Sequence, residues 1–208
     1  YDVASFDPDP ADEKLSLLVE SNVVFAAVGM PLHPSAANHD RSALAGVAIA
    51  GIKQGAELPP HRDWADIRLP STRLIRPGKA LAGVINAEPD TDGITRRLPL
   101  LHAAHGAVLP SMPLAALMAA DRLRPQINFS GTRVGVGVRS WNANEQGEVE
   151  PIFPRNVDEI PVLPYERLAA SAGSARPDEA LDDAIRNRVV FIGSLHQDVS
   201  PPFSTPSG

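Results

Sequence analysis

Residues 86–101 read NAEPDTDGITRRLPLL, and their acids cluster at one bend with an arginine pair just behind. Asp90, Asp92 and Gly93 match the opening of a calcium loop, where alternate carboxylates ligate the ion and a glycine makes the sharp turn. Such a loop also needs a further oxygen ligand and a distant glutamate, and ITRRLPLLHA supplies neither. The same residues suit a tight turn, since glycine accepts positive φ and aspartate side chains bond their own backbone. A hairpin bend is therefore expected, with Asn86, Asp90, Asp92, Gly93 and Arg96 as its turn and anchor. Arg96 and Arg97 occupy consecutive extended positions and point to opposite faces. One can face solvent while the other enters the covered side of the sheet. There it must be paired, by Glu88, Asp90 or Asp198. A strand-to-turn salt bridge is the first reading of the pair, and a clamp for a carboxylate or phosphate ligand the second. Arg96 is assigned to the anchor and Arg97 to the ligand.

The histidines raise metal and hydrolytic chemistry. His102 and His105 stand three apart, a spacing that chelates on a helix and less readily at a strand end. His33 and His39 flank a loop. No HExxH or cysteine-partnered zinc motif occurs, so no metal centre or cofactor is expected. Gly193-Ser194 follows an apolar run but lacks the second glycine of a nucleophile elbow. In α/β sheets ligands collect beyond the carboxyl ends of strands. Ser194, His196, Gln197 and Asp198 occupy such an end, and of these Ser194, His196 and Asp198 are, with Arg97, the ligand-binding candidates. The rival reading is a periplasmic or secreted hydrolase using His102, His196 and Asp198.

Composition narrows these options. The chain has 208 residues, 43% of them apolar, enough for a packed core without staples. It has no cysteine, so disulfides and thiol nucleophiles are excluded. A net charge of -6 gives no general attraction to phosphates, and nucleic acid is not expected as a partner. The nearest basic patch, Arg68, Arg73, Arg76 and Lys79, is spread over a loop and reads as solvated surface. No run approaches the roughly 18 apolar residues of a membrane span. Tyr1 is not a start methionine, and the tail SPPFSTPSG has the character of a linker, so the chain reads as a piece of a longer protein.

The elements that must position these residues are set by periodicity. Residues 6–21 predict a turn and helix, with Asp12 and Glu13 at the positive end of its dipole. Residues 22–29 are a continuous apolar run, predicting a strand covered on both faces. Residues 41–55 mix small, β-branched and glycine residues and favour extended structure. Residues 57–78 form a proline-rich connector with no period. Residues 80–106 predict the hairpin around Pro89–Gly93. Residues 110–124 predict a helix capped by Ser111, with Pro113 in the first turn and Leu114, Leu117 and Met118 buried. Strands are predicted at 126–131, 132–141 and 148–154, and short helices at 164–171 and 177–188. Residues 189–194, VVFIGS, predict a second fully buried strand. The fold class is α/β: a central mixed β-sheet flanked by helices, in a single domain over 1–208.

Taken together, FDPDPADEKLSLLVESNVVFAAVG, LAGVINAEPDTDGITRRLPLL, PSMPLAALMAAD, INFSG and RVVFIGSLHQDVSPPFSTPSG resemble, in this order, the type-two CHASE domain, the cyclase/histidine-kinase-associated sensing extracellular domain. The blocks that carry most are Asn86…Asp90-Thr91-Asp92-Gly93…Arg97-Leu98-Pro99-Leu100 and Val190-Phe191-Ile192-Gly193…Asp198…Thr205-Pro206. The resemblance implies a sensory domain outside the cytoplasmic membrane of a bacterium. Membrane helices flank such a domain, and a nucleotide cyclase, histidine kinase or Ser/Thr kinase lies beyond. It also implies a small-molecule or protein signal, a homodimeric receptor, and a tail, 199–208, leading toward a membrane helix. It supplies no ligand-binding residues. The family begins with a further strand and helix, which are missing ahead of YDVASFDPDP. SLHQD departs from the small residues usual after the glycine.

Overall fold

The apolar run at 22–29 forms strand β1 (Val24–Met30) in the computed structural model, which describes residues 23–31, 41–49, 60–71, 74, 81–121, 127–153, 160–172, 174, 176 and 178–193. Two compact units divide the chain, residues 1–151 and 152–208. The helix predicted at 6–21 lies outside the described residues.

In the first unit β1 pairs in parallel with β4 (Leu81–Val84), placing Ala27 opposite Val84. On its other side β1 pairs antiparallel with β3 (Asp66–Arg68), placing Gly29 opposite Ile67. A parallel pair needs a long crossover, and helix α1 (Arg41–Val47) lies in it. This corrects the extended structure expected from residue 41. Leu44 and Val47, three apart, are both buried, the spacing of one helical face. The alanine and glycine content of this stretch left helix and strand open.

The expected hairpin over 80–106 is also corrected. Beyond the bend strand β4 makes an isolated parallel bridge, Val84 to Ser111, and no antiparallel hairpin ladder among the described residues. Chain reversal comes later, between β6 (Leu101–Ala104) and β7 (Ala107–Pro110), across a two-residue turn. His105 and Gly106 take φ values of 51° and 79° there, the doubly positive pattern that matches strand twist. Strand β2 (Arg62–Asp63) lies parallel to β6, with Arg62 opposite His102. Trp64 N–H extends that ladder to the Ala103 carbonyl at 2.9 Å. Residues 62–68 therefore form a strap that leaves β6 and arrives on β1. Strand β5 (Leu98–Pro99) pairs with β11 (Glu148–Val149), so the strand expected near 148–154 is confined to its first residues. The stretch 132–141 is two strands rather than one: β8 (Ile127–Ser130), β9 (Arg133–Val136) and β10 (Arg139–Asn142) form an antiparallel meander. Gly137, at φ 59°, makes the second reversal.

Parallel and antiparallel pairs with helices make this an α/β fold, but the described strands fall into four small sheets in place of the one central sheet expected: β3-β1-β4 and β2-β6-β7 are mixed, β10-β9-β8 and β11-β5 antiparallel. Side-chain alternation along β6 and β7 separates two apolar clusters. Leu101, Ala103 and Val108 join Leu114 and Met118 of helix α2 (Met112–Ala120) on one side. Ala104 and Leu109 join Ala27, Leu44, Val47, Ile67 and Val84 on the other. Ser111 starts α2 with extended backbone but makes no capping bond, and Leu117 is only half-buried. Helix α2 sits so close to β4 that a Cβ on Gly83 would lie 2.6 Å from the Met112 Cα.

The second unit contains helices α3 (Tyr165–Ala172) and α4 (Glu179–Ile185), near the expected positions. Asp178 caps α4 by accepting from the Leu181 N–H at 3.1 Å, and also binds Arg167 of α3 at 2.7 Å. The strand predicted at 189–194 is not formed over its described residues. Residues 189–193 are irregular, with Phe191 68% and Ile192 80% exposed. A strand needs a neighbour for its backbone groups, and no other strand occurs among the described residues of this unit.

Candidate functional site

The acidic bend is built locally. Gly93 N–H donates to the Asp90 carbonyl at 2.9 Å, and Asp90 N–H to the Ile94 carbonyl at 3.0 Å. Gly93 has φ 83°, which closes the turn without a Cβ penalty. Arg96 forks onto Asp92 at 2.8 and 3.0 Å and reaches Asp90 at 2.9 Å. These charge-assisted bonds hold the Asp92 carboxyl down, to about 2 from 3.8. Both carboxylates are engaged by one guanidinium that stays partly open to water, so the bend presents a tied turn. Arg97, one residue on, is exposed and makes no ion pair among the described residues. Ser194, His196 and Asp198 lie outside the described residues, so the structure does not place them beside Arg97.

Asn86 does something the turn reading missed. Strand β4 ends at Val84, and the Ile85 N–H donates to the Ala27 carbonyl at 3.0 Å as the last backbone rung. The next rung on β1 belongs to Gly29. Gly29 N–H donates to Asn86 Oδ1 at 2.6 Å, and Asn86 Nδ2 donates to the Gly29 carbonyl at 3.0 Å. One side-chain amide thus continues the ladder after the chain has turned away, satisfying a buried donor and acceptor.

A second polar cluster abuts β1 at the same Gly29, and sequence reasoning picked out its histidine but not its partners. His102 is fully buried on β6, on the face shared with Ala104 and Leu109. Trp64 Nε1–H donates to His102 Nδ1 at 2.9 Å, and the two rings lie 22° from parallel with centroids 6.2 Å apart. The indole also covers Gly29, where a Cβ would sit 2.3 Å from the ring. Arg62 lies over the indole at 5.6 Å and pairs with Glu88 at 2.6 Å. Burial first, and Arg62 second, push the His102 pKa down to about 4. His105 is not beside it in function: its ring meets the buried Asp66 at 3.3 Å. The two histidines are divided between different partners, and no metal-holding group of three occurs among the described residues. Trp64 and Asp66 lie in the proline-rich connector, where no periodicity marked them.

No helix among the described residues is long and apolar enough to cross a membrane. No curated protein and no solved structure matches the chain. A family model, that of the CHASE2 domain, matches residues 1–208. The chain belongs to the CHASE2 family of extracellular sensory domains.

Proposed function

We propose that this chain is the signal-sensing head of a bacterial membrane receptor, placed on the periplasmic or outer side of the cytoplasmic membrane. It relays binding of a small molecule or protein to a nucleotide cyclase, histidine kinase or Ser/Thr kinase. The family match over the whole chain carries this reading. A homodimer is the working unit, and membrane helices flanking the domain transmit the change. Relay of this kind requires a signal that binds one of two conformations better than the other. Arg97, with Ser194, His196 and Asp198, remains the proposed contact for the signal.

The hydrolase alternative finds less support. His102 is buried and its Nδ1 is occupied by an indole N–H, whereas a general base must reach the proton it removes. The site proposal is tested by changing Arg97→Ala and Asp198→Ala separately in the full-length natural protein. Loss of signal-dependent output with folding intact supports it. Output and folding that survive both changes overturn it.

A further inference from the structure

The hydrogen bond between Trp64 and His102 fixes a tautomer. Because Nδ1 accepts from the indole, the neutral ring carries its proton on Nε2. That buried nitrogen has no partner among the described residues. A second proton can go only to Nδ1. There two N–H donors would face each other across 2.9 Å, and the bond must break.

The surroundings do not welcome the resulting cation. Arg62 stands opposite His102 across the β2–β6 ladder and opposes a second positive charge. The nearby carboxylates have cations of their own: Glu88 holds Arg62 at 2.6 Å, Asp63 meets His61 at 3.1 Å, and Asp66 meets His105 at 3.3 Å. Strands β1 and β7 and helix α2 carry no titratable side chain. Moving the indole uncovers Gly29 and loosens the 62–68 strap that ties β6 to β1.

We infer that Trp64 and His102 form a proton-operated latch, in which protonation of His102 expels the indole and releases the strap. The inference rests on the sensor reading and names the proton as a signal that the domain registers. Neutral His102 keeps the latch shut, and acid outside the cell opens it. Its pKa of about 4 puts opening in strongly acidic medium.

The chain has two tryptophans, so Trp141→Phe leaves Trp64 as the single emitter. Its emission and the far-UV circular dichroism are followed on the 208-residue chain from about pH 7 to about pH 3.5, across the histidine range. The latch predicts a change in emission with a midpoint near 4 while the dichroism holds. His102→Gln offers an amide oxygen to the indole but does not titrate, and it abolishes the transition. His61→Asn and His105→Asn retain it. Flat emission, a transition that survives His102→Gln, or emission that moves only with loss of dichroism overturns the latch. Should His102→Gln not fold, the Trp64 indole N–H resonance in the unsubstituted chain gives the same reading. It must shift with that midpoint, and a resonance that stays put overturns the proposal. These outcomes are read on the isolated chain, so they are independent of where the domain sits in the cell.

Discussion

Asn86→Ala tests whether a side-chain amide finishes the β1–β4 ladder. The substitution deletes both bonds to Gly29, at 2.6 and 3.0 Å. A neutral hydrogen bond contributes about 1 kcal/mol net, and leaving a buried partner unsatisfied raises the cost to about 1–3 kcal/mol for each group. The Asn86 side chain is half-buried and some water can re-enter, so the expected loss is about 2–4 kcal/mol. With a urea slope of about 2 kcal/mol per molar, the unfolding midpoint falls by roughly 1–2 M. Tryptophan emission is the right probe, because Trp64 and Trp141 both lie in the unit 1–151. Asn86→Asp separates shape from donor capacity. The carboxylate can still accept from the Gly29 N–H but faces the carbonyl without a proton to give. It should lose about 1 kcal/mol or more. An alanine variant with an unmoved midpoint, or an aspartate variant as stable as the parent, would refute the reasoning.

Further outcomes can be measured on the same unit. His102 has its pKa depressed from 6.5 to about 4, so the unfolded chain binds more protons between those values. Stability should therefore fall as pH drops from 6.5 to 4, by up to about 3 kcal/mol, and His102→Gln should flatten that limb in urea titrations. Asp92 acts in a separate, lower window: its contribution is present above 3.8 and is lost as pH falls toward 2. Carboxyl NMR of Arg96→Gln should show its pKa returning toward 3.8. Gly83→Ala drives a Cβ to 2.6 Å from backbone that cannot rotate away, which should cost about 1–3 kcal/mol by thermal denaturation. Gly93 has open space but φ 83°. Asparagine, which tolerates that conformation, should therefore be better accepted than alanine at 93, and worse than alanine at 83.

The features legible in the sequence were those the chain encodes locally. Strand β1 announced itself as an unbroken apolar run, and α2 by a serine, an early proline and Leu114 with Met118 on one face. The cluster around His102 had no such mark. Its indole partner is 38 residues away and the Asn86 bond to Gly29 spans 57. No period or turn signal records a contact at that distance. Asn86 was singled out as part of the bend, yet its side chain serves strand β1. The run 189–194 shows the converse limit: apolar residues state a preference for burial but do not specify a partner strand. Around 41–47, small residues compatible with either conformation were decided by Leu44 and Val47 packing on one side.

The central claim is that these residues form the outer, sensing head of a membrane receptor. Its most direct test is the side of the membrane on which they lie. In the natural reading frame, alkaline phosphatase fused after Gly208 should be active in cells, because that enzyme matures only in an oxidising compartment outside the cytoplasm. A green fluorescent protein of the kind that folds only in the cytoplasm should be dark at the same position. An inactive phosphatase with a bright fluorescent fusion would place the domain inside the cell and contradict the account.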